Sequence, residues 1–261
     1  MYGDFDLIVH KFPDGQDITV YFISDVHLGA EECMESAFRE FIEKVQQTPG
    51  TYLVLGGDLI DNGTRNGLTN VFRATMPPSA QKREMAKILE PVAGKLLCAL
   101  PGNHERRSGK DADDDPMYDI LCKIDREDIY RENLAFMKIQ MGKPEFAGIN
   151  RPAYVFAITH GHGGGMLTSG AVLRGERYGF ALSGIDALVF GHTHKNFTTV
   201  SGKINVDKIN NKVTIQPFYV INMTSWLNYT AYAAQKMLLP TVHNLAQVKL
   251  CGNHKEMVVT M

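Results

Sequence analysis

The chain has 261 residues, a formal net charge of −2, 44% hydrophobic residues and 21% charged residues. These near-average fractions exclude general disorder, and the near-neutral balance excludes a protein that coats nucleic acid through bulk charge, leaving room only for a local basic groove. The length fits one large domain, which at this size buries about three quarters of its unfolded surface.

In chain order, the β-branched and aromatic run Ile18–Ser24 predicts a buried strand that ends in Asp25-Val26-His27-Leu28-Gly29. Met34, Ala37, Phe38, Phe41, Ile42 and Val45 recur at three- and four-residue steps and predict an amphipathic helix, closed by Pro49-Gly50. Thr51–Leu55 is the next strand and runs into Gly57-Asp58-Leu59-Ile60-Asp61. Met85, Ile88, Leu89 and Val92 mark a second helix that Pro91 kinks or ends, and Lys95–Leu100 is a third strand before Gly102-Asn103-His104-Glu105. Strand, helix, strand, helix, strand predicts a parallel sheet covered by helices, with its site at the carboxyl ends of the strands.

The second half is richer in strands. Leu134–Met141, Ala153–Thr159, Ala187–Phe190 and Phe218–Met223 are candidates, Lys203–Lys208 and Lys212–Gln216 predict a hairpin, and Gln247–Leu250 with Met257–Thr260 predict a terminal one. Two sheets, one from each half, are expected to pack face to face with helices outside. No linker or repeat interrupts the chain, so one domain is expected over residues 1–261. Four scattered cysteines (Cys33, Cys98, Cys122, Cys251) form no disulfide or zinc-finger pattern, which points to a reducing, cytoplasmic setting. Met1–His10 lacks the pattern of a signal peptide, and no stretch is apolar for long enough to span a membrane.

The polar clusters at strand ends carry the chemistry. Asp25 and His27, Asp58 and Asp61, Asn103 and His104, His160 and His162, and His192 and His194 include six of the nine histidines in the last three clusters plus the first. Asp, His and an Asn carbonyl suit Mn, Fe or Zn and suit Ca or Cu(I) poorly. The donors are too many for one ion and about right for two sharing a carboxylate, an arrangement that clamps a phosphoryl group.

The order D-x-H, G-D-x-x-D, G-N-H-E, H-G, G-H-x-H, from Asp25 to His194, resembles the calcineurin-like metallophosphoesterase superfamily, in particular its compact bacterial and phage members. The resemblance implies a four-layer α/β/β/α sandwich of two mixed sheets flanked by helices. It implies that Asp25, His27 and His194 bind one metal, that Asn103, His160 and His192 bind a second, and that Asp58 bridges both. Mn is the favoured ion, with Fe, Zn or Ni as alternatives. His104 would protonate the leaving oxygen and Asp61 would orient it, while a metal-bridging hydroxide attacks phosphorus. The D-x-H-L-G opening is similar to DNA-repair nucleases of the superfamily and favours a phosphodiester, with nucleic acids and nucleotides among the candidates. A phosphomonoesterase and a catalytically silent metal-binding scaffold are the alternatives. No membrane partner is expected, and oligomeric state is left open.

Other residues have plainer readings. His160 directly ends its strand and is preferred over His162 as ligand; His162 is kept, with Arg106 and Arg107, as a substrate contact. Arg65 is a weaker one. Gly163-Gly164-Gly165 reads as a turn. Gly252-Asn253-His254 repeats the G-N-H string but reads as a hairpin turn. Asp111, Asp113, Asp114 and Asp115 read as a loop and acidic helix start before Pro116. Trp226, Tyr229 and Tyr232 could stack a base, but such spacing is more often core.

Overall fold

The structure is a computed structural model and describes residues 5–64, 72–142, 151–163, 165, 167–235, 237–240 and 242–261. Arg65 and Gly164 lie outside the described residues, as do the side chains of Asp111 and Tyr232.

The elements run β1 (Leu7–Phe12), β2 (Ile18–Ile23), α1 (Glu35–Gln47), β3 (Thr51–Leu55), α2 (Pro78–Leu89), β4 (Leu96–Ala99), α3 (Arg106–Ala112), α4 (Pro116–Cys122), β5 (Leu134–Met141), β6 (Ala153–Thr159), α5 (Thr168–Ala181), β7 (Ala187–Phe190), β8 (Phe197–Asp207), β9 (Lys212–Asn222), α6 (Ala231–Gln235), β10 (Gln247–Leu250) and β11 (Met257–Thr260). Pro91 ends α2, and the chain continues as a 3-10 turn over Glu90–Lys95. Asp115 caps α4, accepting from the Tyr118 amide at 3.0 Å, and Asp114 pairs with Lys82 at 2.8 Å, so the second half of the acidic stretch is a helix start, whereas position 111 lies in the last turn of α3 and Asp113 closes that helix in left-handed backbone, which corrects the loop reading there.

One sheet has the order β1-β5-β6-β7-β9-β8 and the other β11-β10-β2-β3-β4. β2, β3 and β4 are parallel, as their alternation with helices predicts, while β10 joins β2 antiparallel and makes that sheet mixed. Between the sheets lie Val20, Phe22, Val54, Met137, Phe156, Ile158, Val189 and Ile221, all buried. Outside the five-stranded sheet, Phe38, Ile42 and Val45 of α1 and Met85, Ile88 and Leu89 of α2 fill a second core. Trp226 belongs to it, stacked edge-on to Phe38 with centroids 5.0 Å apart, and so is a core residue rather than a base-stacking one.

Helix α5 covers the outer face of the six-stranded sheet through small residues: Ala171, Gly175 and Gly179 are its buried positions. A methyl at Gly179 would lie 2.4 Å from Phe218 Cζ. Gly179→Ala is therefore expected to lower stability by about 1–3 kcal/mol through overpacking, more than the ~1 kcal/mol that helix propensity returns. A shift of the urea midpoint to lower concentration at unchanged slope checks this.

Candidate metal centre

The carboxyl ends of β2, β3, β4, β6 and β7 converge on one spot. Five residues there adopt left-handed backbone: Asp25 (φ 55), His27 (φ 52), Asp58 (φ 53), His192 (φ 65) and His194 (φ 51). Such conformations cost a non-glycine residue about 1–3 kcal/mol and collect at functional sites. In Asp25-Val26-His27 the left-handed residues alternate with Val26, which is buried in the core behind them. Two glycines let the ends of β3 and β4 touch. A Cβ on Gly57 would stand 2.4 Å from the Gly102 nitrogen, and one on Gly102 would stand 2.1 Å from Asp58 Oδ1.

The donors form two groups around Asp58. On one side His194 Nε2 lies 3.1 Å from Asp25 Oδ1, and the Nε2 atoms of His27 and His194 are 3.4 Å apart. On the other, His160 Nε2 lies 3.3 Å from Asp58 Oδ2 and 3.1 Å from Asn103 Oδ1, and His192 Nδ1 is 2.6 Å from the same Asn103 oxygen. Asp58 Oδ2 is also 3.9 Å from His27 Nε2.

The residues fit divalent cations. Asp25 Oδ1 is buried and makes no hydrogen bond among the described residues, although two histidine nitrogens face it at 3.1 and 3.9 Å. His160 donates Nδ1–H to the Gly56 carbonyl at 2.8 Å, which leaves Nε2 aimed at two oxygens. This is how an outer partner orients a ligating imidazole. Electrostatics agree with the donor roles. Burial opposes ionisation of Asp25 and Asp58, but His194 beside the first and His160 beside the second hold both carboxyls well below the ordinary range. Burial, helped by the neighbouring His104, drives His27 down to about 3, so its ring is neutral. Burial also disfavours a charged His160, yet Asp58 outweighs it and lifts the pKa to about 9, so a cation entering there competes with a proton.

His104 stands beside the cluster, its ring centroid 4.3 Å from that of His27. Its Nδ1 is 2.7 Å from the Asp61 carbonyl and 3.3 Å from the Asp61 carboxylate. The main-chain oxygen is thus the nearer acceptor, whereas the sequence pointed to the side chain. A carbonyl can only accept, so Nδ1 carries the proton and Nε2 faces the cluster. Arg107 Nη2 reaches that Nε2 at 2.7 Å. The Arg106 guanidinium donates to the carbonyls of Glu132 and Pro101. His162 is exposed, its ring stacks on His192 with centroids 6.1 Å apart, and its carbonyl accepts from Arg174. His254 of the repeated G-N-H string groups instead with Cys251 and Glu256 in the β10–β11 turn.

Glu105 has a structural role that sequence reasoning did not assign. Fully buried, its Oε2 accepts from the amides of Asp58 and Gly102, both at 2.8 Å, and its Oε1 from those of Leu59 and Ile60, at 2.7 and 3.2 Å. It ties the Asp58 loop to the Asn103-His104 loop. Burial and then Asp58 push its pKa up, while the Gly102 and Ile60 amides pull the other way. Glu105→Gln must turn an NH₂ against two of these amides in either orientation. A loss of about 3 kcal/mol is expected, read as a lower melting temperature together with weaker metal retention. Asn62, also missed, donates from behind to the His104 carbonyl at 2.8 Å and Ser108 Oγ at 3.0 Å.

Fold and cluster together define an α/β/β/α sandwich with donors for divalent ions at its strand ends. The family model of the calcineurin-like phosphoesterases matches residues 18–196, and the chain belongs to that family. That family is metal-dependent. Among solved structures it resembles NAD nucleotidase of Haemophilus influenzae at 10% identity and a TM-score of 0.45, over 94% of this chain and 49% of that one, so it spans about half of that protein. Comparison with curated proteins gave no match. Among the described residues, no helix is long and apolar enough to cross a membrane.

Proposed function

We propose that the chain, acting as one domain, hydrolyses phosphodiesters with two divalent ions that share Asp58, and that His104 protonates the leaving oxygen. The observation that carries this reading is the placement of one buried carboxylate between two donor groups, 3.3 Å from His160 and 3.9 Å from His27. Asp25, His27 and His194 would hold one ion and Asn103, His160 and His192 the other. Bound there, the ions supply Lewis-acid polarisation of the phosphoryl group and an activated water. A donor set of nitrogen and oxygen without sulfur favours Mn, with Fe, Zn or Ni as competitors.

The chain's own residues then do the following. Asp25, Asp58 and the neutral His27 present their donors without reorganisation, because their backbone is already fixed. The Asp61 carbonyl holds the His104 tautomer, and the nearby Asp61 and Asp58 carboxylates favour a second proton on Nε2. An entering phosphate offers Arg107 a better partner than a neutral imidazole nitrogen, which frees Nε2 to carry and deliver that proton.

The preference for a diester rests on the similarity of the D-x-H-L-G opening and on a site with one acid. Bis-nitrophenyl phosphate should give the higher kcat/KM in Mn²⁺ when compared with nitrophenyl phosphate. A monoester preference would reassign the chain as a phosphomonoesterase, and loaded protein without turnover on either would make it a metal-binding scaffold. If a nucleic acid is the substrate, affinity should fall with salt as phosphate contacts are screened. Four free cysteines are in keeping with a cytoplasmic setting.

A further inference from the structure

The β8–β9 hairpin carries an uncovered apolar face. Directly opposed residues of an antiparallel pair share a face, and faces alternate along each strand. The rungs Val200 with Tyr219, Gly202 with Pro217, Ile204 with Ile215 and Val206 with Val213 therefore line one side. The alternate rungs Lys203 with Gln216, Asn205 with Thr214 and Asp207 with Lys212 line the other. That polar side is the one tied to the protein, since Lys203 Nζ bonds the Gly179 and Leu182 carbonyls at the end of α5 at 2.7 and 3.0 Å. The apolar side continues the face that meets the opposite sheet. Its cover ends near Tyr219, whose hydroxyl reaches the Met257 carbonyl at 3.2 Å. Beyond it, Val200, Ile204, Val206, Val213 and Ile215 are 61 to 76% exposed, and Ile209 at the tip is 91% exposed.

A two-stranded ribbon standing in water gains nothing from such a face, and monomers rarely expose contiguous apolar patches beyond a few hundred Å². Six β-branched side chains this exposed approach the ~800 Å² that each partner gives to an interface of standard size. We infer that this face is a homodimer interface, with two copies packing ribbon face on ribbon face about a two-fold axis. Three features favour a second copy as occupant. The four rungs carry no charge, so they offer nothing to a nucleic-acid phosphate or a lipid headgroup. A strip of β-branched residues interdigitates with an identical strip, about 10 Å apart, as sheets do in a sandwich. An isologous contact of this kind also closes on itself and leaves no apolar strip for further copies.

Sedimentation velocity of the full chain across a concentration series tests the inference. The expected particle has twice the 29.1 kDa mass of one chain. The pair Ile204→Lys and Ile215→Lys, one rung of the face, should weaken dimerisation by about 100-fold or more, with an unchanged far-ultraviolet circular dichroism spectrum. Asn205→Lys on the polar face should leave the dimer intact. Should the double variant fail to fold, oxidative cross-linking decides: Ile204→Cys should give covalent dimers that the parent chain and Asn205→Cys do not. A wild-type chain that stays monomeric throughout overturns the inference. So does a dimer indifferent to the lysine pair, or a monomer that floats with lipid vesicles through this face.

Discussion

Asp58→Asn is expected to abolish turnover and to leave the chain with one bound ion or none. Asp58 Oδ1 accepts the His104 amide at 2.7 Å, and Oδ2 faces His160 and His27. An amide of the same shape can keep the first contact, so the fold should survive, with a melting temperature near that of the parent. It cannot keep the negative charge that both donor groups share. Losing an outer-shell partner costs about 10–100-fold in metal affinity or activity, and the loss of a shared ligand should exceed that. Metal analysis after dialysis, run beside a turnover assay in Mn²⁺, checks it. Full activity in chelated, metal-free protein would sink the two-ion reading altogether.

His104→Asn is expected to act through the leaving group. Positioned proton transfer contributes about 10²–10⁴-fold in rate, and a leaving group that is already a weak base needs little of it. The substitution should therefore cost about that factor with an alkyl ester and far less with a nitrophenyl ester, at unchanged metal content. Asp61→Asn should show a milder version, because the nearer contact to Nδ1 comes from the Asp61 main chain and survives the change. The metal measurement matters because His104 also falls within one possible donor group with His27 and Asp58. If His104→Asn empties a site, or slows both substrates equally, the acid must be sought elsewhere, with His162 the next candidate.

The strand-end clusters were legible because their chemistry is local: each apolar run stops in a short string of Asp, His, Asn and Gly. Helix α1 was legible for the same reason, since Phe38, Ile42 and Val45 are its buried face. Helix α5 was not, because it packs through Ala171, Gly175 and Gly179 while Leu173, Tyr178 and Phe180 stay exposed, which removes the usual periodic signal. β1 was missed because it is an edge strand with Leu7 and Val9 half-exposed. β8 is longer than predicted because it starts at Phe197, and β9 because the runs read separately as Lys212–Gln216 and Phe218–Met223 join through Pro217 into one strand. Arg106 and Arg107 could not be told apart from sequence. Successive helix residues point about 100° apart, so α3 can turn only one of them toward His104. The role of Glu105 depends on four amides from two loops distant in sequence, and no local pattern records it.

Anomalous scattering at the manganese edge, from crystals of the full chain grown with Mn²⁺, would show whether Asp58 lies between two bound ions. Two peaks are expected, one among Asp25, His27 and His194 and one among Asn103, His160 and His192, with Asp58 touching both. A single peak in the cluster, two peaks without Asp58 between them, or scattering confined to the Cys251, His254 and Glu256 turn would contradict this.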